Sequence, residues 1–544
     1  MKKINFLVLF FALVFMSTQA QNVYYVTAEA DGTADGSSWA YATSLEAAIA
    51  KTTSTSTDII LVKKGTYTAP SAAQTTVSGS ISGLGYLFDV KNDVTLYGNC
   101  EGTESETNLP TVNENTTIGT FLNAPVDESN AALGRVITIY KCTVKFIGFD
   151  ISGGDASKNS STAAYGAGKY GGAVHIKGKG TLRYCKVHGA TAQNGGGVYL
   201  EAYTAPITPA TIEYCEIYGN TSTGTTSGSY GGGGIYIMGS SPEVDVNNCI
   251  IRDNTAVRAG GVFIYNASAT KITSISNSII KNNTGTTAHG GFQFYKYGNI
   301  VNCLISANTG ASGTGGASLG SATQVINSTI VNNTVSSNNA SDAGGVAVAT
   351  GSLKNCIIWG NTVNNGGTNM DLRLASHNIT STSVSTVTNS CYNVASVSST
   401  SDTYQPILTN SIIAADPLFT SAIDFSLTTS SPCKNTGDNT AYDTNLYPSV
   451  DLNNHTRIVT TTIDMGAYEF SPTTGISSTI SKESNILSIG KGSLIVKSKG
   501  NVAIYDVTGK MVSKKESAGS TNFSLNSGIY LVNVSGTTYK IIVQ

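Results

Sequence analysis

The sequence predicts an all-β chain, in which a long solenoid of stacked short strands is followed by a small β-rich C-terminal domain. Three observations carry this. One pattern recurs six times between residues 214 and 362 with a fixed internal spacing, and a second pattern, opening on paired glycines, alternates with it. The third is composition: only 12% charged residues with 58 Gly, 27 Tyr and 11 Pro, which suits many short strands joined by tight turns.

Residues 1–20 carry Lys2 and Lys3, an apolar run from Phe6 to Met16, and Ser17-Thr18-Gln19-Ala20 with small residues at the cleavage positions. This is the plan of a secretory signal peptide, so the mature chain is expected to begin at Gln21. No other stretch approaches the roughly 18 uncharged apolar residues of a membrane helix, so no transmembrane segment is expected in the mature chain. Residues 21–70 read as an N-terminal capping segment. Within it, Thr43-Ser44-Leu45-Glu46 has the capping-box pattern for a short helix through Lys51, which would plug the apolar end of a solenoid. Phe88 to Gly98 and Val136 to Gly154 look like early coils with longer insertions.

The first repeat runs Tyr214-Cys215-Glu216-Ile217, Asn248-Cys249-Ile250-Ile251, Asn277-Ser278-Ile279-Ile280, Asn302-Cys303-Leu304-Ile305, Asn327-Ser328-Thr329-Ile330 and Asn355-Cys356-Ile357-Ile358. At a constant offset each is followed by an asparagine, Asn220, Asn254, Asn283, Asn308, Asn333 and Asn361, in steps of 34, 29, 25, 25 and 28 residues. The second repeat includes Gly172-Ala173-Val174, Gly196-Gly197-Val198, Gly233-Gly234-Ile235, Gly260-Gly261-Val262, Gly290-Gly291-Phe292, Gly315-Gly316-Ala317 and Gly344-Gly345-Val346. Such a unit cannot bury its apolar face alone and must stack on its neighbours, so variable insertions become loops. Stacking at the roughly 4.8 Å strand spacing would align an Ile column, a Cys/Ser column and an Asn column whose amides donate and accept along the stack. Nine cysteines are present, six of them in this repeated context, and they are expected to be small buried residues alternating with Ser278 and Ser328. In-register parallel neighbours hold their Cβ atoms beyond the usual disulfide distance. Cys100, Cys391 and Cys433 lie outside the column.

The repeat fades after Cys391. Residues 411–470 form a closing region, residues 471–485 are a Ser/Thr/Gly-rich linker, and residues 486–544 hold alternating strands at 493–496, 502–505, 528–534 and 539–543, enough for a small β-sandwich.

Tyr24-Tyr25-Val26, Gly36-Ser37-Ser38-Trp39 and Val62-Lys63-Lys64-Gly65-Thr66-Tyr67 resemble the first coil of secreted bacterial proteins of the pectate-lyase-like superfamily. Asp416-Pro417-Leu418-Phe419, Ser431-Pro432 and Asp464-Met465-Gly466-Ala467-Tyr468-Glu469 are similar to their closing region. The resemblance implies a right-handed parallel β-helix over residues 22–470. Val502-Ala503-Ile504-Tyr505-Asp506-Val507-Thr508-Gly509-Lys510, Gly528-Ile529-Tyr530-Leu531-Val532 and Lys540-Ile541-Ile542-Val543 resemble the type IX secretion sorting domain of Bacteroidetes. That resemblance implies passage across the outer membrane through the type IX machinery, with the cargo released or attached at the cell surface.

A uronate lyase on this scaffold would need carboxylates converging on calcium and a Lys or Arg base. The outward positions of the repeated strands read His175 and Lys177, Tyr199 and Glu201, Tyr236 and Met238, Phe263 and Tyr265, Gln293 and Tyr295 after the glycines. Beside the Ile column they read Lys186 and His188, Glu216 and Tyr218, Arg252, Lys281 and Trp359. Only Glu201 and Glu216 are carboxylates, and they fall on different strands. There is no Asp-Asp pair or Gly-His-Gly for a polygalacturonase-like hydrolase, and no Cys-x-x-Cys or His-Glu-x-x-His for zinc. No cofactor or metal is expected, and calcium enters only under the lyase alternative.

Tyr199, Tyr236, Phe263, Tyr265, Gln293 and Tyr295 form a candidate platform for sugar rings, with strand propensity under covering loops as the competing explanation. Arg252, Lys281, His188 and Arg258 could attract an acidic glycan, or be solvated surface charges. His289, just before a glycine pair, reads as structural. Without Lys2 and Lys3 the formal charge falls from −2 to −4 and no basic tract remains, which argues against nucleic acid. The sequence therefore points to a secreted or surface-attached glycan-binding or adhesin-like protein. The alternative is a polysaccharide lyase or glycoside hydrolase for an acidic polysaccharide, with its site in loops 201–211, 222–231 or 362–376.

Overall fold

The repeated coil closes because two of its turns sit on residues that tolerate left-handed backbone. One coil comprises Val262–Asn266, Thr273–Ser276, Ile279–Lys281 and Thr284–Ala288. Between the second and third strands stand Asn248, Asn277, Asn302, Asn327 and Asn355, with φ from 45° to 56°. After the third strand come Gly219, Asp253, Asn282, Ala307, Asn332 and Gly360, also at positive φ. Asn and Gly bear that conformation at least cost, which is why the repeat is written in them.

The structure is a computed structural model. It describes residues 21–544 apart from 54–57, 70, 73–84, 87, 128, 130–131, 133, 159–168, 203–209, 226–230, 240–242, 267–272, 340, 376–384, 394, 399–405, 459–461, 472–478, 481–486, 491, 507–509, 527, 535–536 and 544. The signal-peptide reading, most of the linker and the cores of loops 201–211 and 222–231 lie outside the described residues. No described helix is long and apolar enough to cross a membrane. The chain divides after Phe470 into two compact units.

In the first unit, like strands of successive coils pair in parallel and in register: Val262 with Phe292, Ile280 with Ile305, Thr284 with Thr309. The first two strands of each coil join one long sheet, the third a second sheet and the fourth a third. Inside, Ile217, Ile251, Ile280, Ile305, Ile330 and Ile358 form a column with no exposure, within one core running from Val26 to Tyr392. The glycine pairs are steric: a Cβ on Gly261 would stand 2.5 Å from the Gly291 carbonyl oxygen of the next coil.

The Asn column is a continuous hydrogen-bond ladder. Backbone N and Nδ2 of Asn220 both donate to Oδ1 of Asn254, at 3.0 Å each. Asn254 donates likewise to Asn283, Asn283 to Asn308, Asn308 to Asn333 and Asn333 to Asn361. Each Nδ2 also donates to a carbonyl of the preceding coil, Asn283 to Ile251 for example. The ladder ends on Asp371, which the repeat did not reveal. Its Oδ1 accepts from Asn361 N and Nδ2, and its Oδ2 from Asn393 N. The terminal position only accepts, so a carboxylate suits it.

The Cys/Ser column holds five cysteines, not six. Cys185, Cys215 and Cys249 follow one another, then Ser278 and Ser328 alternate with Cys303 and Cys356, and Cys249 N donates to Ser278 Oγ at 3.1 Å. Cys142 instead lies at a register shift in strand Ile137–Ile147, its thiol donating to the Val90 carbonyl. All nine thiols are free and buried.

At the N-terminal end Leu45–Lys51 is helical and buries Leu45, Ala48 and Ile49 against the core. Its cap differs from the expected box: Ser44, rather than Thr43, accepts from Ala47 N, which places Glu46 one position early. At the other end the coils continue past Cys391. Ile407–Thr409 and Ile412–Ile413 pair with Thr386–Thr388 and Cys391–Tyr392. The apolar residues of this last coil are largely exposed, and the asparagine ladder has already stopped, so the repeat is not legible there.

The closing region is short of strands and folds back over the second sheet. Phe425, Ala467 and Tyr468 cover Leu304 and Val331 with Ile279 and Trp359 alongside, while Leu427, Cys433 and Met465 cover Ile357 and Cys391. Its lock is Arg457, 1% exposed. Arg457 Nη1 donates to Glu469 at 3.0 Å, and Nη2 reaches the Asn302 side chain and the Gly466 carbonyl. Trp359, read as an outward residue, is therefore largely covered.

The second unit contains a five-stranded sheet, ordered Thr479–Ile480, Thr537–Val543, Gly528–Val534, Lys499–Asp506 and Met511–Ala518, and a three-stranded sheet of Leu487–Gly490, Ser493–Val496 and Thr521–Ser524. Leu494, Val496, Val502, Ile504, Val532 and Ile541 are among its buried core. Strand Met511–Ala518 is an addition to the expected set; its mostly exposed side chains hid it from a reading based on apolar alternation.

Candidate functional site

The outer face of the glycine-pair strands carries the candidate platform. Parallel registration places Tyr199, Tyr236 and Phe263 in one column, with ring centroids 5.4 and 4.9 Å apart and planes within 17°. Tyr170 stacks on the end of this column at 4.7 Å from Tyr199, and Ala259, Met238 and Tyr265 pack around it. All three column rings are at most 1% exposed. The expectation that they form an open platform is corrected: at strand spacing flat rings spend their faces on one another.

Two residues further along each strand the outcome is different. Tyr265 and Tyr295 stack at 4.7 Å, and Tyr295 is 45% exposed. The next residue in this column is Gly320, whose N–H donates to the Phe294 carbonyl and which has no side chain to stack on Tyr295. A Cβ there would meet the Tyr295 carbonyl oxygen at 1.9 Å, so Gly320 is required for the backbones to pass. On the same outward side lies Gln293, 8% exposed and aligned with Ser318, its Oε1 without a hydrogen-bond partner. Lys296 stands 5.8 Å from the Tyr295 ring centre.

The earlier coils of this face hold a charged cluster that the residue-by-residue reading missed. Lys177 Nζ lies 3.0 Å and His175 Nε2 3.4 Å from the Glu201 carboxylate, and both His175 and Glu201 side chains are at most 2% exposed. Neither contact is an aligned hydrogen bond to Glu201. Burial, reinforced by Arg135, pushes His175 down to about 4 against the pull of Glu201. Burial alone would raise Glu201, but His175 and Lys177 outweigh it and hold the carboxyl below its usual range. The signal was available: His175 is in register with Tyr199, which puts Lys177 opposite Glu201.

On the second sheet Asp150 and His188 are 2.8 Å apart, His188 stacks on Tyr218 at 4.7 Å, and the Arg252 guanidinium lies 4.2 Å from the Tyr218 ring centre. Arg252 is paired with Glu216 at 2.7 Å and with Asp253 at 2.5 Å. Two carboxylates therefore neutralise the arginine expected to draw an acidic glycan. Lys281 is in register with Arg252, half-buried, and in no ion pair among the described residues. Loop 362–376 begins as a small hairpin, Thr362–Val363 with Thr368–Asn369, then rejoins the long sheet.

His289 is structural in its setting: Nδ1 is 3.0 Å from Thr314 Oγ1, and burial with a contribution from Arg258 pushes it from 6.5 to about 3, Asp342 opposing. A folded-state value below the unfolded one favours folding above pH 6.5 and is lost as pH falls toward 3. The unfolding midpoint should therefore fall with acidification over that window, and His289→Gln should flatten the dependence. A midpoint-against-pH curve unchanged by the substitution would contradict the assignment.

No group of three or more His, Cys, Asp or Glu side chains converges as a metal site among the described residues. Stacked parallel coils, with outward columns of aromatic and charged side chains, define a parallel β-helix protein. The family model described as a right handed beta helix region matches residues 126–295, which agrees with that architecture and gives its hand. No curated protein sequence matches the chain. Among solved structures, the crystal structure of pectate lyase Pel9A shares 16% identity over 83% of this chain and 97% of that one, with a TM-score of 0.44. A rhamnogalacturonan lyase shares 15% identity over 68% and 87%, with a TM-score of 0.37.

Proposed function

We propose that the chain is an exported, surface-located glycan-binding protein of adhesin type, which engages sugar rings at the end of the outer tyrosine column. The observation that carries this is the exposed ring of Tyr295, stacked on Tyr265 and followed in its column by Gly320, which has no side chain to stack on it. Lys296, 5.8 Å from that ring centre, supplies a cation beside it, whereas Gln293 is buried and its Oε1 faces no solvent. A flat apolar ring with a few fixed polar groups is the chemistry that binds a pyranose face and its hydroxyls. Tyr295→Ala should weaken binding of a recognised oligosaccharide at least about tenfold, or about 1.4 kcal/mol. Phe263→Leu, under the covered column, should leave affinity within about twofold.

Export rests on the plan of residues 1–20 and on the resemblance of residues 486–544 to type IX sorting domains, whose machinery would be the second partner. One observation favours the alternative of a polysaccharide lyase or hydrolase. Asp150 orients His188, whose side chain is 27% exposed, and a carboxylate-held imidazole is a usable acid or base. A panel of acidic and neutral polysaccharides, with and without calcium, separates the readings. Retention without new reducing ends or unsaturated products supports binding, whereas turnover abolished by His188→Ala would replace it with the enzymatic reading.

A further inference from the structure

Cys391 and Cys433 meet from separate segments of the first unit, one in the last coils and one in the closing region. The column thiols point into the solenoid core, each from the turn just before the third strand of its coil, and each donates to backbone carbonyls, Cys215 to Leu182 and Glu213 for example. Cys391 also donates to a carbonyl, that of Ala415, but it is in register with Ile357, not with Cys356, and so leaves the second sheet on its outer side. There it meets the closing region, in a cluster with Leu427, Cys433 and Met465. Both thiols are fully buried and pack in that one cluster. Cys433 is fixed from behind, its N–H donating to Ser431 Oγ at 3.2 Å and its carbonyl accepting from Met465 N at 3.0 Å.

We propose that Cys391 and Cys433 form a disulfide in the exported protein, stapling the closing region to the last coils of the solenoid. Opposed segments can bring two sulfurs to bonding distance, whereas side chains side by side on parallel strands sit at the strand spacing. The oxidant is a protein disulfide donor of an oxidising compartment. One cysteine thiolate attacks the donor disulfide, giving a mixed disulfide; the second attacks that sulfur, forming the Cys391–Cys433 bond and releasing the donor as a dithiol. Two protons leave the cysteines, and two electrons pass to the donor. The link would close a loop through residues 391 to 433 in a region with few strands of its own, where a covalent tie restricts the unfolded chain most usefully.

The inference rests on the export reading for its oxidising compartment, so the two are tested separately. Residues 21–544 are directed to a bacterial periplasm by a foreign signal, denatured with iodoacetamide present, digested without reductant and analysed by mass spectrometry. A peptide pair linked through Cys391 and Cys433, with the five column cysteines alkylated, is the expected result. Alkylation of both Cys391 and Cys433, or a link of either to another cysteine, would overturn the pairing. Cys433→Ser should lower the melting temperature of the oxidised protein by several degrees, to that of the reduced wild type. A linked periplasmic protein but free thiols in protein produced from its own leader would leave the pairing standing and remove the export reading.

Discussion

Asn283→Ala is expected to cost about 4 kcal/mol, the sum of several buried groups losing their partners at about 1–3 kcal/mol each. Asn283 Oδ1 accepts two bonds from Asn254, and its Nδ2 donates to Ile251 O and Asn308 Oδ1, all without solvent access. Alanine leaves the Asn254 N–H, the Ile251 carbonyl and the Asn308 amide oxygen short of partners, and opens a small void. Because each rung polarises the next, the damage should spread along the ladder. Native-state hydrogen exchange should show lost protection at Asn254 and Thr284 before distant coils respond. A loss below about 1 kcal/mol, with protection at Asn254 intact, would mean that strand pairing alone holds the turn.

Arg457→Ala should release the closing region, at about 3–5 kcal/mol, because it strands Glu469 in the interior. Burial already pushes the Glu469 carboxyl up to about 7, with Arg457 opposing that shift and Asp464 adding to it. Removing the guanidinium also frees the Asn302 side chain and the Gly466 carbonyl. The closing region covers Trp359, one of only two tryptophans, so detachment should red-shift its emission and admit a quencher. Arg457→Lys should be intermediate, since an ammonium cannot reproduce the forked donors. Unchanged emission in Arg457→Ala would place the lock elsewhere, in the apolar contacts of Phe425 and Tyr468.

The solenoid was legible in the sequence because its physics repeats: the asparagine, isoleucine and glycine columns each reflect one steric or hydrogen-bonding requirement met once per coil. What did not repeat was less legible. Asp371 ends the ladder as a different residue, Cys142 sits at a local shift in register, and the last coil has no ladder asparagine. The candidate site shows the same limit. Alternation along a strand correctly put Tyr199, Tyr236 and Phe263 outside the core, but it could not show that rings one strand apart bury each other's faces, or that Tyr170 covers the end. Likewise the charges of Arg252 and Glu216 were read separately until registration placed them in contact. Exposure is set by neighbours in adjacent coils, which is why one glycine, Gly320, distinguishes Tyr295 from the rings stacked above it.

Calorimetric titration of an oligosaccharide retained in the panel assay, against wild type, Tyr295→Ala and Tyr295→Phe, most directly tests where that sugar sits. The predicted result is measurable binding to wild type and loss in Tyr295→Ala, with Tyr295→Phe restoring it because the ring face rather than the hydroxyl makes the contact. Equal affinity of wild type and a folded Tyr295→Ala would contradict the assignment and place glycan recognition away from the end of the tyrosine column.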